Sequence, residues 1–392
     1  MKINLMRNLD HYLGLPLCVI LGILYKLLTL FRKEEPKFEE IKKILVLKWF
    51  GLGSIVMFSP FLKEIKKKYK DAKITFLTFS SRKEIVEILK ISDQIETIST
   101  SGFLQFLKDT FRQLIKLSME KADVCIDLEF FSKFSTLISF LSGARIRIGL
   151  YLPFFWRLSL INFPVYFNPS KHILRTYKMI CEVLGVRIEK IEYEKIEFSQ
   201  EEKDEFRKKY LKSINLEDKL IVINPNAGEL AECRRWPKEY FVEVVENLSK
   251  RENLKIVFVG TKEESSYVKE IIEELTGEGK SKVLDLSGRL NIKEFLILIS
   301  LSSLVITNDS GPLHLAYLEK TPSLSIWGPG DPELFGVKDP QHKIIYLDYD
   351  CSPCIYLYRT KPALFCGGKI PCLKNIAPSI VIKEALNLLN EE

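Results

Sequence analysis

Three short stretches carry side chains of the types that hold phosphate. The first is Asn224-Pro225-Asn226-Ala227-Gly228, which leads to Arg234-Arg235-Trp236-Pro237. Two adjacent guanidinium groups ahead of a proline at a helix start suit a clamp on a diphosphate, because each offers a planar fork of donors. The second is Asn308-Asp309-Ser310-Gly311-Pro312-Leu313-His314. It follows an apolar strand and opens a helix, so the Ser310 hydroxyl, the Gly311 N–H and the helix dipole converge on one point, with His314 in the first turn. Asp309 is as well suited to capping or orienting this turn as to touching a ligand. The third, Trp327-Gly328-Pro329-Gly330-Asp331-Pro332, reads as a rigid turn set by Gly and Pro. The competing readings are an exposed arginine pair beside a structural Trp, and a histidine that only packs.

A fourth stretch, Gly51-Leu52-Gly53, follows an apolar run and precedes a helical pattern. A dinucleotide-binding turn would need a third glycine, where Val56 stands. It would also need an acid after the next strand, Lys73–Phe79, which is followed by Ser80. What remains is a tight turn that brings backbone N–H groups, Gly53 among them, towards an anion.

The elements that must position these loops alternate. Short apolar runs at Ile44–Leu47, Lys73–Phe79, Ile95–Ile98 and Val124–Leu128 are separated by helical patterns at Ser54–Tyr69, Arg82–Leu89 and Phe103–Met119. A second series begins at Leu220–Asn224 and continues through strands Lys255–Gly260, Lys282–Asp285, Leu304–Thr307 and Ser323–Trp327, with helices between them. Such alternation specifies two doubly wound parallel sheets. The charged stretch 200–219 marks the boundary, so the chain is expected to comprise residues 1–40, 41–199, 200–345 and a C-terminal segment 346–392. Two such domains facing one another would bind a ligand in a cleft at the carboxyl ends of their strands.

The chain has 392 residues, with 58 Lys+Arg against 51 Asp+Glu, a net charge of +7. No basic run is long enough to form a nucleic-acid arm, so small anions and acidic lipids are the partners this charge favours. Tyr12–Phe31 is almost wholly apolar, interrupted by Lys26, and no small-residue cleavage site follows it. Its length just reaches a bilayer span, but Gly14, Pro16, Gly22 and Lys26 favour an interfacial placement. Packing on the protein's own surface is the alternative. Cys351-x2-Cys354, Cys366 and Cys372 lie within 22 residues. The first spacing suits structural zinc or an iron–sulfur centre; free or paired thiols are the alternative.

Taken in order, the motifs resemble glycosyltransferase family 9, the ADP-heptose:lipopolysaccharide heptosyltransferases. The likeness covers roughly residues 41 to 385. It includes the Gly-Leu-Gly turn, Ala-Asp-Val-Cys-Ile-Asp-Leu at 122–128, Arg-Arg-Trp-Pro, Val-Gly-Thr-Lys-Glu-Glu at 259–264, Asp-Leu-Ser-Gly at 285–288, Asp-Ser-Gly-Pro-Leu-His at 309–314, and Trp-Gly-Pro-Gly-Asp-Pro. The resemblance implies a GT-B fold, with an acceptor domain followed by a nucleotide-sugar domain. It implies inverting transfer of a sugar from an ADP-linked donor to a glycan or glycolipid, at the cytoplasmic face of the inner membrane. No essential metal cofactor is implied. Arg234 would contact phosphate, Ser310, Gly311 and His314 would surround the diphosphate, and Asp309 would support them. Lys262 or Glu263 would lie near the ribose and Ser287 near the base. Where the family has its proposed general base, an aspartate, this chain has Ser54. A serine hydroxyl needs a partner to take a proton near neutral pH, so Asp127 and Glu129 are the candidate replacements. A GT-B epimerase and a binding protein without turnover are the other readings.

Overall fold

The computed structural model describes residues 3–29, 38–130, 132–152, 157, 160–228, 232–355 and 366–390. The chain divides into two compact units, Met1–Tyr193 and Glu194–Glu392. The division falls a few residues before the expected 199/200 boundary, because Ile196 already bonds to the second unit through Glu319.

The first unit opens with helices α1 (Ile3–Leu9) and α2 (Leu15–Thr29), joined by a π-helical turn, Asp10–Gly14. That turn directly precedes Pro16, which has no N–H to continue the ladder. The sheet is built from β1 (Lys43–Leu47), β2 (Lys73–Phe79), β3 (Gln94–Ile98), β4 (Val124–Asp127), β5 (Ile146–Tyr151) and β6 (Phe163–Tyr166). Between the strands run α3 (Leu52–Lys68), α4 (Lys83–Leu89), α5 (Phe103–Glu120) and α6 (Lys133–Leu141), and α7 (Ile173–Val183) follows β6. The strand order is β3-β2-β1-β4-β5-β6, all parallel. Helix α3 starts two residues earlier than its pattern predicts. Gly51 adopts φ +81°, a left-handed conformation that glycine enters without strain, and so turns the chain straight from β1 into the helix. The pattern reading had no place for β5 and β6, because Arg147 interrupts one apolar run and Pro164 the other.

The second unit repeats the plan after α8 (Gln200–Tyr210). Its strands are β7 (Lys219–Asn224), β8 (Leu254–Phe258), β9 (Val283–Asp285), β10 (Leu304–Asn308), β11 (Ser323–Trp327) and β12 (His342–Tyr346). Its helices are α9 (Lys238–Leu248), α10 (Ser265–Glu274), α11 (Gly277–Ser281), α12 (Ile292–Ser300), α13 (Gly311–Glu319), α14 (Pro332–Phe335), α15 (Pro371–Lys374) and α16 (Pro378–Leu389). The order β12-β11-β10-β7-β8-β9 matches the first sheet when read in reverse. The C-terminal segment belongs to this unit. Leu373, Ile376, Val381, Ala385 and Leu389 join the cluster formed by Trp236, Phe241 and the strand residues. Trp236 is fully buried and donates its indole N–H to Ile376 O at 3.1 Å. The loop that carries Arg234 and Arg235 is thereby pinned to the chain's end.

One buried charge opposes this packing. Glu319, at the end of α13, is fully enclosed and accepts a bond from Ile196 N at 3.3 Å. Burial raises its carboxyl from the ordinary 4.5 to about 7, only partly offset by the Ile196 N–H and the charges of Lys195 and Lys203. Between 4.5 and about 7 the folded chain holds a proton that the unfolded chain releases, so this site loses stability as pH rises through that window. Glu319→Gln keeps the acceptor and removes the penalty. Thermal melts should show a gain of a few degrees at pH 8 that vanishes by pH 4.5.

Candidate active site

The carboxyl ends of β7 and β10 lie side by side, with Thr307 beside Asn224, where the strand order of the second sheet reverses. Loops leaving a parallel sheet at such a point turn to opposite faces and leave room for a ligand. Here they are cross-bonded. Asn224 Nδ2 donates to Thr307 Oγ1 at 3.4 Å and to Ser310 Oγ at 3.2 Å, and the Thr307 and Ser310 hydroxyls lie 2.9 Å apart. Asn308 Nδ2 donates to Pro225 O at 2.7 Å, while its Oδ1 accepts the Trp236 N–H at 3.2 Å. The Ser310 hydroxyl, held this way, does not cap α13. Pro312 has no N–H and Leu313 N bonds Ser310 O at 3.3 Å, so the Gly311 N–H is the first-turn donor placed to receive an anion.

Arg234 enters this corner. Its Nη1 lies 3.1 Å from Asp309 Oδ2 and its Nη2 donates to Ala227 O at 2.9 Å. About a fifth of the side chain stays exposed (21%), so its charge is oriented without being sealed away. Asp309 needs the space that Gly330 leaves, because a Cβ there would come within 2.1 Å of its carboxylate. Arg235 does not join Arg234. Its guanidinium stacks on Tyr267 at 4.6 Å and reaches towards Glu232 at 3.8 Å, so the two arginines do not converge as a pair. His314 sits in the first turn of α13, largely buried, and Gly311 begins that helix.

The other expected contacts sort by burial. Asn226 is enclosed and spends its Nδ2 on Asn224 Oδ1 and Val259 O, so it braces the loop from within. Lys262 and Glu263 are exposed. The carboxylate that organises this edge is the neighbouring Glu264, whose Oε1 accepts from Gly228 N at 3.2 Å and Oε2 from Thr261 N at 2.9 Å. Its sequence signal was Thr261-x-x-Glu264, the spacing of a capping box. Ser287 donates both its N–H and its hydroxyl to Asp285 Oδ1, at 2.9 and 2.6 Å. Gly288, at φ +71°, bonds Gly260 O at 2.8 Å and packs against the Lys262 backbone.

In the first unit the three catalytic candidates separate. Asp127 is fully buried, pairs with the Arg157 guanidinium, accepts from the Ser135 hydroxyl, and takes the Glu129 N–H at 3.0 Å. A carboxylate with no exposed surface and both oxygens bonded braces the fold. Glu129 Oε1 accepts the N–H groups of Trp49 and Phe50 at 2.6 and 3.0 Å and lies 3.4 Å from the buried Lys48 ammonium. Ser54, near the start of α3, lies near the Tyr177 phenol, which burial and the nearby Glu129 charge push up. Structure thus brings Ser54 and Glu129 together around Tyr177, a residue that no motif marked. Gly53 is buried on the inner side of α3.

The C-terminal thiols are close enough to feel one another. Burial and the neighbouring Cys372, Cys351 and Cys366 push Cys354 up to about 11, while backbone N–H groups, Ile370's first, hold Cys366 below its ordinary value. All eight cysteines are free. Among the described residues no group of three or more His, Cys, Asp or Glu side chains is arranged to hold a metal ion.

The family model for glycosyltransferase family 9 (heptosyltransferase) matches residues 111–362, most of the chain. The chain belongs to glycosyltransferase family 9. It is therefore a glycosyltransferase, and the epimerase and binding-only readings fall away. The transferase is 28% identical over 346 residues to lipooligosaccharide heptosyltransferase 2 of Campylobacter jejuni, covering 86% of this chain and 95% of that one. It resembles the solved structure of the Escherichia coli ADP-heptose LPS heptosyltransferase II, with a TM-score of 0.72 and 19% identity over 89% of this chain and 98% of that one. A second E. coli heptosyltransferase, solved with ADP-2-deoxy-2-fluoro heptose, aligns with a TM-score of 0.61 and 14% identity over 88% and 99%. These likenesses establish the GT-B fold.

The two arginines of the transferase make opposite predictions. Arg234→Ala should weaken nucleoside diphosphate binding by about ten- to a hundredfold, the loss of one charge-assisted contact. Arg235→Ala should leave that affinity within about twofold and lower thermal stability through the lost Tyr267 stack. Calorimetric titration with ADP alongside thermal melts measures both.

Proposed function

We propose that this transferase moves heptose from ADP-heptose to a lipopolysaccharide-core or lipid-linked glycan, with inversion, at the cytoplasmic face of the inner membrane. The carrying observation is the open N-terminus of α13, flanked by Ser310 and by the Arg234–Asp309 pair at 3.1 Å. Relatives named as lipooligosaccharide and lipopolysaccharide heptosyltransferases support the sugar and the acceptor. A fold neighbour solved with an ADP-heptose analogue supports the donor.

In the proposed reaction an acceptor hydroxyl attacks the anomeric carbon as the bond to the diphosphate oxygen breaks. The charge that develops on departing ADP falls to Arg234 and the Gly311 N–H at the start of α13, which are already oriented and need not reorganise. The acceptor's proton goes to Glu129, the carboxylate left once Asp127 is committed to Arg157. Ser54, half-buried near the start of α3, holds the hydroxyl in line. Lys262 reaches the ribose, and the Ser287–Gly288 turn lies along the base.

Two measurements test this. Binding of ADP should exceed that of UDP and GDP in calorimetry; preference for either of the latter would discard heptose as the sugar. Glu129→Gln should lower kcat by about 10²- to 10⁴-fold with unchanged donor affinity. Asp127→Asn should instead lower the melting temperature, because it leaves the buried Arg157 without its partner charge. A Glu129→Gln enzyme with normal turnover would remove Glu129 from the reaction.

A further inference from the structure

Two helices of the first unit carry broad apolar faces outward. Along α5 the inward face is polar at its centre. Asp109 Oδ2 accepts from Ser99 N at 3.0 Å, and Gln113 donates to Glu96 Oε2 at 2.8 Å. The outward stripe is apolar. Leu104, Phe111, Ile115 and Met119 follow one another at intervals of seven, four and four residues, with Phe103 and Leu107 beside them, and all six are exposed. Leu104 is 80% exposed and Met119 77%, values at odds with a helix that ends at water.

Helix α2 shows the same arrangement. Its buried contacts, with the turn before it, are Gly14, Cys18 and Gly22, four residues apart. They bring the helix so close to α6 that a Cβ at Gly14 would lie 2.6 Å from Lys133 Cβ. The glycines that weaken a helix on propensity are thus its seam. Its large residues, Leu13, Leu17, Ile20, Ile23, Leu24, Leu27 and Leu28, point away and are exposed. Leu5–Leu28 is long and apolar enough to cross a membrane. Yet the helix is fastened to the unit at both ends. Asp10 accepts from Phe134 N at 2.8 Å and from the Ser132 hydroxyl at 3.2 Å. Tyr25 packs edge-on against Phe140 at 5.3 Å and lies under the Arg147 guanidinium at 5.1 Å. A helix held along its length by α6 cannot stand upright through a bilayer while the unit stays in water.

Both helices flank α6. Met6 of α1, Phe106 and Leu114 of α5 and Phe134 of α6 share one cluster, with Phe106 and Phe134 rings 5.2 Å apart. Exposed Lys108 and Arg112 stand within or beside the α5 stripe, and Lys26 lies among the exposed residues of α2. This combination of a broad apolar surface with interspersed cations matches a bilayer containing anionic phospholipid, in which ammonium groups rise to the headgroups from a buried stem.

We infer that α5 and the N-terminal helix form one membrane-docking face, both lying in the plane of the bilayer surface. The inference rests on the reading that the enzyme works at a membrane, and deepens it: α5, deep in the Rossmann-like unit, seats the catalytic domain against the lipid, and the N-terminal helix does not act as a tether. The test uses the full chain and vesicles of phosphatidylethanolamine with phosphatidylglycerol. Phe111→Glu/Ile115→Glu on α5 and Ile20→Glu/Leu24→Glu on α2 replace exposed side chains only, so both variants should melt like the parent and bind ADP normally. Each should lose at least tenfold in vesicle partition, and the parent should leave cell membranes in alkaline carbonate. An α5 variant that binds vesicles like the parent overturns the docking face; if the α2 variant alone fails to bind, the membrane reading survives without α5. A parent that ignores vesicles sinks the membrane reading itself. Retention in carbonate-washed membranes overturns the in-plane placement, and a lipid-free dimer that the α5 substitutions dissociate assigns the stripe to a second copy of the chain.

Discussion

Both units depend on what happens where two central parallel strands part. At the reversal of strand order the loops diverge, and the exposed backbone of the first loop needs partners that the sheet no longer supplies. In each unit a side chain just past the second strand meets this need. Glu129, beyond β4, receives the N–H groups of Trp49 and Phe50 beyond β1. Asn308, at the end of β10, donates to Pro225 O and Asn226 O beyond β7. The same solution appears twice with opposite polarity: a carboxylate for a pair of donors, an amide for a pair of acceptors.

The consequence for chemistry differs between the units. In the second, the bracing is neutral and buried, and it leaves Ser310, Gly311 and the Arg234–Asp309 pair at the rim. The loop is rigid because Asn226 and Asn308 are committed inward, so the rim groups can be aimed outward with little reorganisation. In the first, the brace is itself a carboxylate. Glu129 holds the β1 loop and lies near Tyr177. Asp127, two residues away, is withdrawn by Arg157 into a buried pair that costs desolvation and is tolerated only because every oxygen is bonded.

The N-terminal helix and α5 show how the outer surface can carry information that the core does not. Hydrophobic periodicity places an apolar stripe on α5, and the ordinary expectation is that the stripe faces the sheet. The sheet edge at β3 instead offers Glu96, Thr97 O and Ser99 N, which Asp109 and Gln113 satisfy beside the buried Leu117. The apolar stripe is left outside by a polar requirement inside.

The alternation of strands and helices, the two-domain plan and the phosphate-type loops were legible in the residues, because period and turn chemistry are local properties. So was the family, carried by the order of its motifs. Strands β5, β6 and β12 were not, since Arg147 and Pro164 break the local pattern and long-range pairing overrides it. Which acid or guanidinium faces the site was also beyond local reading. Arg234 and Arg235 are neighbours of the same type, as are Glu263 and Glu264, and only the packing of Tyr267, Asp309 and Gly228 around them separates each pair. Asp127 reads in sequence as a free carboxylate at a strand end, and it is Arg157, thirty residues later in the chain, that draws it into a buried pair. Residue type and spacing determine what a side chain can do; the charge and hydrogen-bond partners that tertiary structure brings to it decide whether it is free to do so.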